Sequence, residues 1–285
     1  MLPMQLTDAS VGIILKELVR RSITTIRNER FKFEVTAKAG YDGTTADMFT
    51  SADIAAQAVY EVGFRECFPG IGMIGEEDSP DIPCTLDGVD AYFTVDPLDG
   101  TKAFVRRQSQ GTATMVALVI EGRIVSAWIG DINTQEIYGY RPGSNKVHRI
   151  SQYEVSQYLH ETAFQQDISQ GYALLRDPLY AAPDPVRKFA HSFKSHNVEG
   201  SSIGTWMARL WKGEVLAGVM GPAHQTPWDD TPIVGISRKL GFVYLRSDGE
   251  KSWQQYEPEL VKEVVERPYW TAVIHESNLR QLPII

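Results

Sequence analysis

Tyr92-Phe93-Thr94-Val95-Asp96-Pro97-Leu98-Asp99-Gly100-Thr101 sets a β-type run against a proline and two aspartates. Pro97 has no N–H to give to a ladder, so the strand is expected to stop just after Asp96. Two carboxylates then crowd one turn. Asp96, the Leu98 carbonyl and Asp99 can converge on a hard cation there, and the amides of Gly100 and Thr101 can form a nest for phosphate oxygen. Such a pair is costly without a cation, because like charges this close raise each other's pKa. Taken alone, the last six residues fit an Asp-Gly turn with solvated acids equally well.

Three further acidic groups lie outward from this turn. Gly75-Glu76-Glu77-Asp78 follows apolar residues 71–74 and falls at the carboxyl end of a predicted strand, where α/β proteins bind ligands. By itself it reads as a wet loop. Pro227-Trp228-Asp229-Asp230 stands where a helix begins, and in isolation Asp229 reads as its N-cap with Trp228 packed beneath. Asp53, three residues after Thr50, reads as the acidic partner in a capping box.

Between these groups the apolar pattern alternates helix and strand. From Asp8 onward Val11, Ile14, Leu15, Leu18, Val19, Ile23 and Ile26 recur at helical spacing, with Thr7, Asp8 or Ser10 available as caps. Residues 31–49 contain Gly40, Asp42-Gly43 and Thr44-Thr45 and read as a strand followed by turns or a mobile loop. A second helix runs from the Thr50 cap to near Cys67. Strands are predicted over 92–96, 112–120, 123–132, 135–141 and 146–150, ending in an antiparallel meander. Residues 151–200 are polar and weakly periodic, which places a linker or subdomain boundary near 150–160. The chain thus divides into an N-terminal α+β part, 1–150, and a C-terminal α/β part, 151–285. In the second part helices over 203–212, 230–240 and 258–266 alternate with strands over 215–220, 241–245 and 269–275.

Composition bounds the function. The 285 residues are 43% hydrophobic and 22% charged, ordinary for a globular chain of one large domain or two small ones. Lys and Arg number 28 against 36 Asp and Glu, a net charge of −8 that offers no general attraction for nucleic acid or anionic membrane. An anionic ligand therefore needs a local group to overcome that field. The longest apolar stretch, 115–120, is far too short to cross a bilayer. The N-terminus shows no secretory pattern, and two cysteines without CxxC spacing suit a reducing cytoplasm.

In order along the chain, Asp47-x-x-Thr50-x-x-Asp53, Gly75-Glu76-Glu77, the turn from Asp96 to Thr101 and Trp228-Asp229 resemble the motifs of the inositol monophosphatase superfamily. Its members are magnesium-dependent, lithium-sensitive phosphatases. The resemblance implies an α/β layered sandwich of αβαβα type, assembled as a homodimer. By family pattern Glu76, Asp96 and the Leu98 carbonyl hold one magnesium ion and Asp96, Asp99 and Asp229 a second. Glu76 also supports a third, so two or three Mg2+ ions are expected. Thr101 and Asp53 are the implied pair that orients and helps deprotonate the attacking water, while the amides of Gly100 and Thr101 grip the phosphate. The implied reaction is hydrolysis of a small phosphate ester, inositol monophosphate or a related sugar phosphate.

Three segments bear on which ester. Lys102-Ala103-Phe104 shares its lysine with the Lys-Glu-Phe common in 3′-phosphoadenosine 5′-phosphate phosphatases, where inositol phosphatases commonly have Thr-Asn-Phe. That opens a 3′(2′),5′-bisphosphate nucleotidase as the alternative. Residues 219–227 lack the acid that inositol enzymes carry before Trp-Asp, and offer His224 and Gln225 as hydrogen-bonding groups instead. Gly200-Ser201-Ser202-Ile203-Gly204 matches the helix start that faces substrate in the family, which adds Ser202 and Gly204 to Gly100, Thr101, Lys102 and His224 as candidate substrate contacts.

The same five residues also fit a G-x-S-x-G nucleophile elbow, with Asp229 or Asp248 and then His275 in serine-hydrolase order. Against Ser202 as a nucleophile, residues 195–199 are too polar for the strand before an elbow, and the acidic clusters would have no purpose. A regulatory module on a degenerate phosphatase fold would be expected to lack a metal ligand or the Thr–Asp pair, and none is missing.

Overall fold

The computed structural model describes residues 7–41, 43, 47–77, 82–159, 166–250 and 252–282. Asp42, Thr44, Thr45 and Asp78 lie outside them, as does residue 160 at the end of the boundary expected near 150–160.

Helix α1 (Asp8–Glu29) is capped by Thr7 and buries Val11, Leu15, Leu18, Val19, Ile23 and Ile26, the face its periodicity specifies. A two-stranded ribbon follows, β1 (Val35–Lys38) and β2 (Asp47–Thr50). Its second strand was not expected from sequence, since Asp47-Met48-Phe49-Thr50 is too short to establish a period. Helix α2 (Ser51–Cys67) opens on the complete capping box of Thr50 and Asp53. Strands β3 (Gly72–Gly75) and β4 (Ala91–Asp99) lead to the short helix α3 (Thr101–Val105). The meander is β5 (Ala113–Ile120), β6 (Arg123–Asp131), β7 (Ile137–Tyr140), β8 (His148–Ile150) and β9 (Ser156–Tyr158). These seven strands from β3 onward form one sheet in chain order, parallel only at β3–β4.

β4 does not stop at Asp96. Asp96 pairs with Met115 and Asp99 with Ala113, so two residues of β4 oppose one of β5 in a bulge that holds Pro97. The bulge makes no demand on the missing N–H, and the Leu98 amide turns back to Asp96 Oδ1 at 2.9 Å.

The polar stretch 151–200 is not a linker throughout. It contains β10 (Tyr172–Leu175), α4 (Asp184–His191) and β11 (Ser195–Val198). Beyond it come α5 (Ile203–Trp211), β12 (Ala217–Met220), β13 (Ala223–Gln225), α6 (Pro227–Lys239) and β14 (Phe242–Ser247). The chain ends with β15 (Gln254–Tyr256), β16 (Val265–Arg267) and β17 (Trp270–His275). The second sheet runs β11-β10-β12-β17-β14-β15, and β13 pairs with β16 in a separate ribbon. Residues 258–266 are not the expected helix. Val265–Arg267 is drawn into the ribbon with Ala223–Gln225, while Leu260 and Val264 pack beside Ile74, Tyr92 and Trp228.

Alternating side chains stack these elements in layers. Val11 and Ile23 of α1 and Tyr60 and Phe64 of α2 meet Phe93, Val95, Val116 and Leu118 on one face of the large sheet. Met115, Ala117 and Ile129 point the other way, onto Trp206 and Leu210 of α5 and Ile233 and Ile236 of α6. The same two helices meet Leu174, Met220, Phe242 and Val273 of the second sheet, so one core joins both sheets. The far face of that sheet, with Leu175, Val219 and Ile274, is covered by Val186 and Phe189 of α4. The order is αβαβα, as the motifs implied. No helix among the described residues is long and apolar enough to cross a membrane.

Candidate active site

A cleft opens where β3 and β4 end and α3 and α6 begin, lined by Glu76, Asp96, Leu98, Asp99, Thr101 and Asp229 among others. Oxygens of Asp96, Asp99 and Asp229 all lie within 4.8 Å of one another. Each arrives by a separate local device. The bulge carries Asp96 and Asp99 on one strand end. Asp229 sits in the first turn of α6 and is not its cap. Thr226 is the N-cap, and its hydroxyl donates to Asp229 Oδ2 at 2.8 Å. The helix therefore starts at Pro227, three residues earlier than predicted, because proline is well tolerated at the first helical position. Pro232 is left in the second turn.

Asp99 Oδ2 receives the Ser202 hydroxyl at 2.5 Å and the Gly204 amide at 2.7 Å. These two candidates for substrate contact are thus buried and spent on Asp99, and Gly200 and Ser201 line the cleft in their place. Ser202 is fully buried, and His275 holds its Nδ1 2.7 Å from the Ser277 hydroxyl. Ser202 thus gives its hydroxyl to Asp99, and His275 engages Ser277 through Nδ1.

Asp53 is fully buried at the start of α2. The Thr50 amide and hydroxyl donate to its Oδ2 at 2.7 and 2.6 Å. The Thr101 hydroxyl stands 3.2 Å from its Oδ1 and 3.1 Å from the Leu98 carbonyl. Gly100, at φ 88°, turns the chain from β4 into α3 in a conformation that side chains resist. A Cβ there would also lie 2.2 Å from the Gly111 carbonyl oxygen. In α3 the Ala103 and Phe104 amides bond the Gly100 carbonyl at 2.8 and 3.0 Å, and the Thr101 and Lys102 amides come before any helical partner.

Burial and mutual repulsion raise the acid pKa values. Asp99 is pushed up to about 7 by burial and by Asp229, and Glu76 to about 8 by burial against the pull of Lys38. Asp96 is held well above its ordinary value by burial and by Glu76, Asp99 and Asp229. Asp53 is raised by burial, against the pull of the Thr50 bonds. Clustered carboxylates and the Leu98 carbonyl are hard oxygen donors, and they carry more negative charge than a buried site holds without a cation. The donor set therefore fits a divalent metal.

Lys102 is half exposed at the rim, its Nζ 4.0 Å from Asp47 Oδ1. His224 stands behind the wall, its ring 5.8 Å from that of Tyr41, which in turn lies 6.3 Å from Trp228. Several cleft residues were not anticipated from sequence: Tyr41, Arg106, Gln108 and Arg176. Arg176 follows β10 inside the stretch read as a linker, and only recognition of that strand would have marked it as lying at a strand's carboxyl end. Lys38, at the end of β1, was also missed. Its Nζ lies 3.0 Å from Glu76 Oε1 and 2.9 Å from Glu77 Oε1.

Comparison with known proteins bears on the fold and the family. The 3′(2′),5′-bisphosphate nucleotidase CysQ of Salmonella typhimurium is 41% identical over 76 residues, 27% of this chain and 30% of that protein. The matched segment thus spans under a third of the relative's length. The extragenic suppressor protein suhB from Bartonella henselae has the same fold, with a TM-score of 0.72 at 16% identity over 96% of both chains. An IMPase/NADP phosphatase solved with Mg2+ and phosphate superposes with a TM-score of 0.70 at 14% identity, over 95% of this chain and 93% of that one. The profile of the inositol monophosphatase family matches residues 8–259, nearly the whole length described, and on that match the chain belongs to the inositol monophosphatase family of phosphatases.

Proposed function

We propose that the chain is a magnesium-dependent phosphomonoesterase acting on a small phosphate ester. The observation that carries this reading is the convergence of Asp96, Asp99 and Asp229 within 4.8 Å, beside the Thr101–Asp53 pair. Glu76, Asp96 and the Leu98 carbonyl are assigned to one ion, and Asp96, Asp99 and Asp229 to a second, with Glu76 available to a third. Bound magnesium would neutralise phosphate charge and polarise the scissile ester.

The chain's own residues do the positioning. Thr101 accepts a hydrogen bond from the attacking water and relays its own hydroxyl proton toward Asp53. Burial makes Asp53 the more ready acceptor, and Thr50 fixes its orientation from behind. Amides of Gly100 and Thr101 are assigned to the phosphate oxygens, where charge grows in the transition state. The reading carries with it a homodimer, inhibition by lithium and a cytoplasmic location.

For the ester, inositol or another sugar phosphate is one class and a 3′-phosphonucleotide the other. Lys102, Arg106 and Arg176 on the cleft wall favour a substrate with a second anionic group, and the CysQ similarity points the same way. The test is phosphate release from inositol 1-phosphate and 3′-phosphoadenosine 5′-phosphate at equal concentration, with magnesium and with EDTA. Preference for the nucleotide makes the chain a bisphosphate nucleotidase. Preference for inositol phosphate would mean that another group replaces the missing acid. Release equal in EDTA and magnesium would overturn the metal assignment.

A further inference from the structure

We propose, on the phosphatase reading above, that Arg176 holds a second phosphate carried by the leaving group and so decides between bisphosphate and monophosphate esters. Its backbone is fixed at the cleft from both sides. The Arg176 amide donates to the Val219 carbonyl at 2.9 Å, and the Leu175 carbonyl before it accepts from the Glu199 amide at 2.9 Å. β10 thereby sets Arg176 between the end of β12 and the Gly200-Ser201 segment, which lines the same cleft.

Arg176 is exposed, and the carboxylates beside it are already engaged. Asp177 accepts from the Gly221 amide at 2.9 Å, and Glu199 lies 2.9 Å from Arg209 Nη1. Residues 219–227, which continue from β12 beside Arg176, bring no acid. Among the described residues no carboxylate comes within ion-pair distance of its guanidinium. Lys102, by contrast, has its Nζ 4.0 Å from Asp47 Oδ1, and Arg106 caps the same short helix that Thr101 opens. Those two bases stand with the Thr101–Asp53 pair.

That difference of place assigns the roles. Displacement at phosphorus puts the leaving oxygen in line with the attacking one and opposite to it. With water oriented by Thr101 and Asp53, the leaving group turns away from α2 and α3, toward Arg176, Gly200, Ser201 and Asp229 from the later part of the chain. Burial raises the Asp229 carboxyl and the Arg176 charge works against that rise, so the two stand at the same end of the cleft. A guanidinium offers phosphate two parallel N–H donors, a fork that a neutral hydroxyl cannot use equally. In a chain of net charge −8 this is the local cation that a second phosphate requires.

The test compares two pairs of esters in MgCl2 with the full chain: 3′-phosphoadenosine 5′-phosphate against adenosine 3′-phosphate, and inositol 1,4-bisphosphate against inositol 1-phosphate. Wild type is expected to prefer the bisphosphate of one pair by about 30-fold or more in kcat/KM, and that pair tells a nucleoside from an inositol leaving group. Arg176→Gln should shrink the preference to within about threefold, chiefly through KM, and Arg176→Lys should restore part of it. Calorimetric binding of adenosine 5′-phosphate against adenosine, and of inositol 4-phosphate against inositol, needs no turnover and should lose the same difference in Arg176→Gln. Equal losses on both esters of a pair would mean that Arg176 acts only through Asp229, and would overturn the proposal. So would a wild type without preference in either pair, or an Arg176→Gln that keeps the preference. Release from none of the four esters by wild type would instead overturn the phosphatase reading, and the binding series would then decide the role of Arg176.

Discussion

The Thr101 hydroxyl lies 3.2 Å from Asp53 Oδ1 and 3.1 Å from the Leu98 carbonyl, so one proton is shared between the capping box of α2 and the strand that carries Asp96 and Asp99. This link joins the proposed base to the turn proposed to bind metal. Thr101→Ala removes it while leaving the capping box of α2 intact. We predict a fall in kcat of about 100-fold or more, with the melting temperature within a few degrees of wild type. Steady-state phosphate release and a thermal melt check it, and a variant with wild-type kcat would remove Thr101 from the mechanism.

Ser202→Ala distinguishes the metal mechanism from a serine nucleophile. The variant loses the 2.5 Å bond to Asp99 and the side-chain cap of α5, which accepts from the Thr205 amide. The cost is about 1–2 kcal/mol of stability and a weaker hold on the metal. Turnover at saturating magnesium is predicted to stay within about tenfold of wild type. Complete loss, or a covalent adduct with a serine-directed phosphonate on intact protein by mass spectrometry, would contradict the account.

Stability of the metal-free chain should depend on pH with a definite sign. Asp99 at about 7 and Glu76 at about 8 bind protons more tightly folded than unfolded, where carboxylates titrate near ~4. Their stabilising contribution is complete below ~4 and is lost as pH rises through about 7 to 8. In EDTA the melting temperature is predicted to drop by several degrees between pH 5 and pH 8. Magnesium should remove most of the drop. A melting temperature in EDTA that rises over the same interval would contradict the crowding of these acids.

Gly204 tests how α5 is seated. A Cβ at this position would lie 2.8 Å from Met115 Sδ and 3.1 Å from Ala113 Cβ and Ile129 Cγ2. Gly204→Ala is predicted to cost about 1–3 kcal/mol by overpacking, and to weaken magnesium binding by moving the amide that Asp99 accepts from. Denaturant unfolding and Mg2+ titration report the two effects. An unchanged midpoint would mean that helix and sheet can separate at no cost.

Long periodic segments were readable from sequence because one physical rule governs each. The face of α1 follows from its seven apolar positions, and β5 from a run buried on both sides. That Asp96, Asp99 and Asp229 come together was readable because their motifs' order is shared with a family, although Asp229 alone would have passed for a helix cap. Pro97 misled, since the rule against proline in a ladder is suspended inside a bulge, and a bulge depends on the partner strand. Tyr172–Leu175 and Ser195–Val198 are too short, and the latter too polar, to declare themselves as strands. They become strands by pairing with one another and with β12, contacts no local window contains. Residues 258–266 show the converse, a helical spacing overridden by pairing with the ribbon strand of His224. Arg176 was hidden for the same reason, standing at the end of a strand that sequence alone did not establish, and Lys38 because the strand expected in residues 31–49 had no bounds that placed it beside Glu76.

The central claim is that Asp96 is a shared ligand of a catalytic magnesium site, and phosphate release by wild type and Asp96→Asn in Mg2+ and in EDTA tests it most directly. The account predicts magnesium-dependent release by wild type that EDTA abolishes. It predicts a folded variant whose release falls by at least about 100-fold, because one side chain serves both ions. Full activity in folded Asp96→Asn, or wild-type activity indifferent to EDTA, would contradict it.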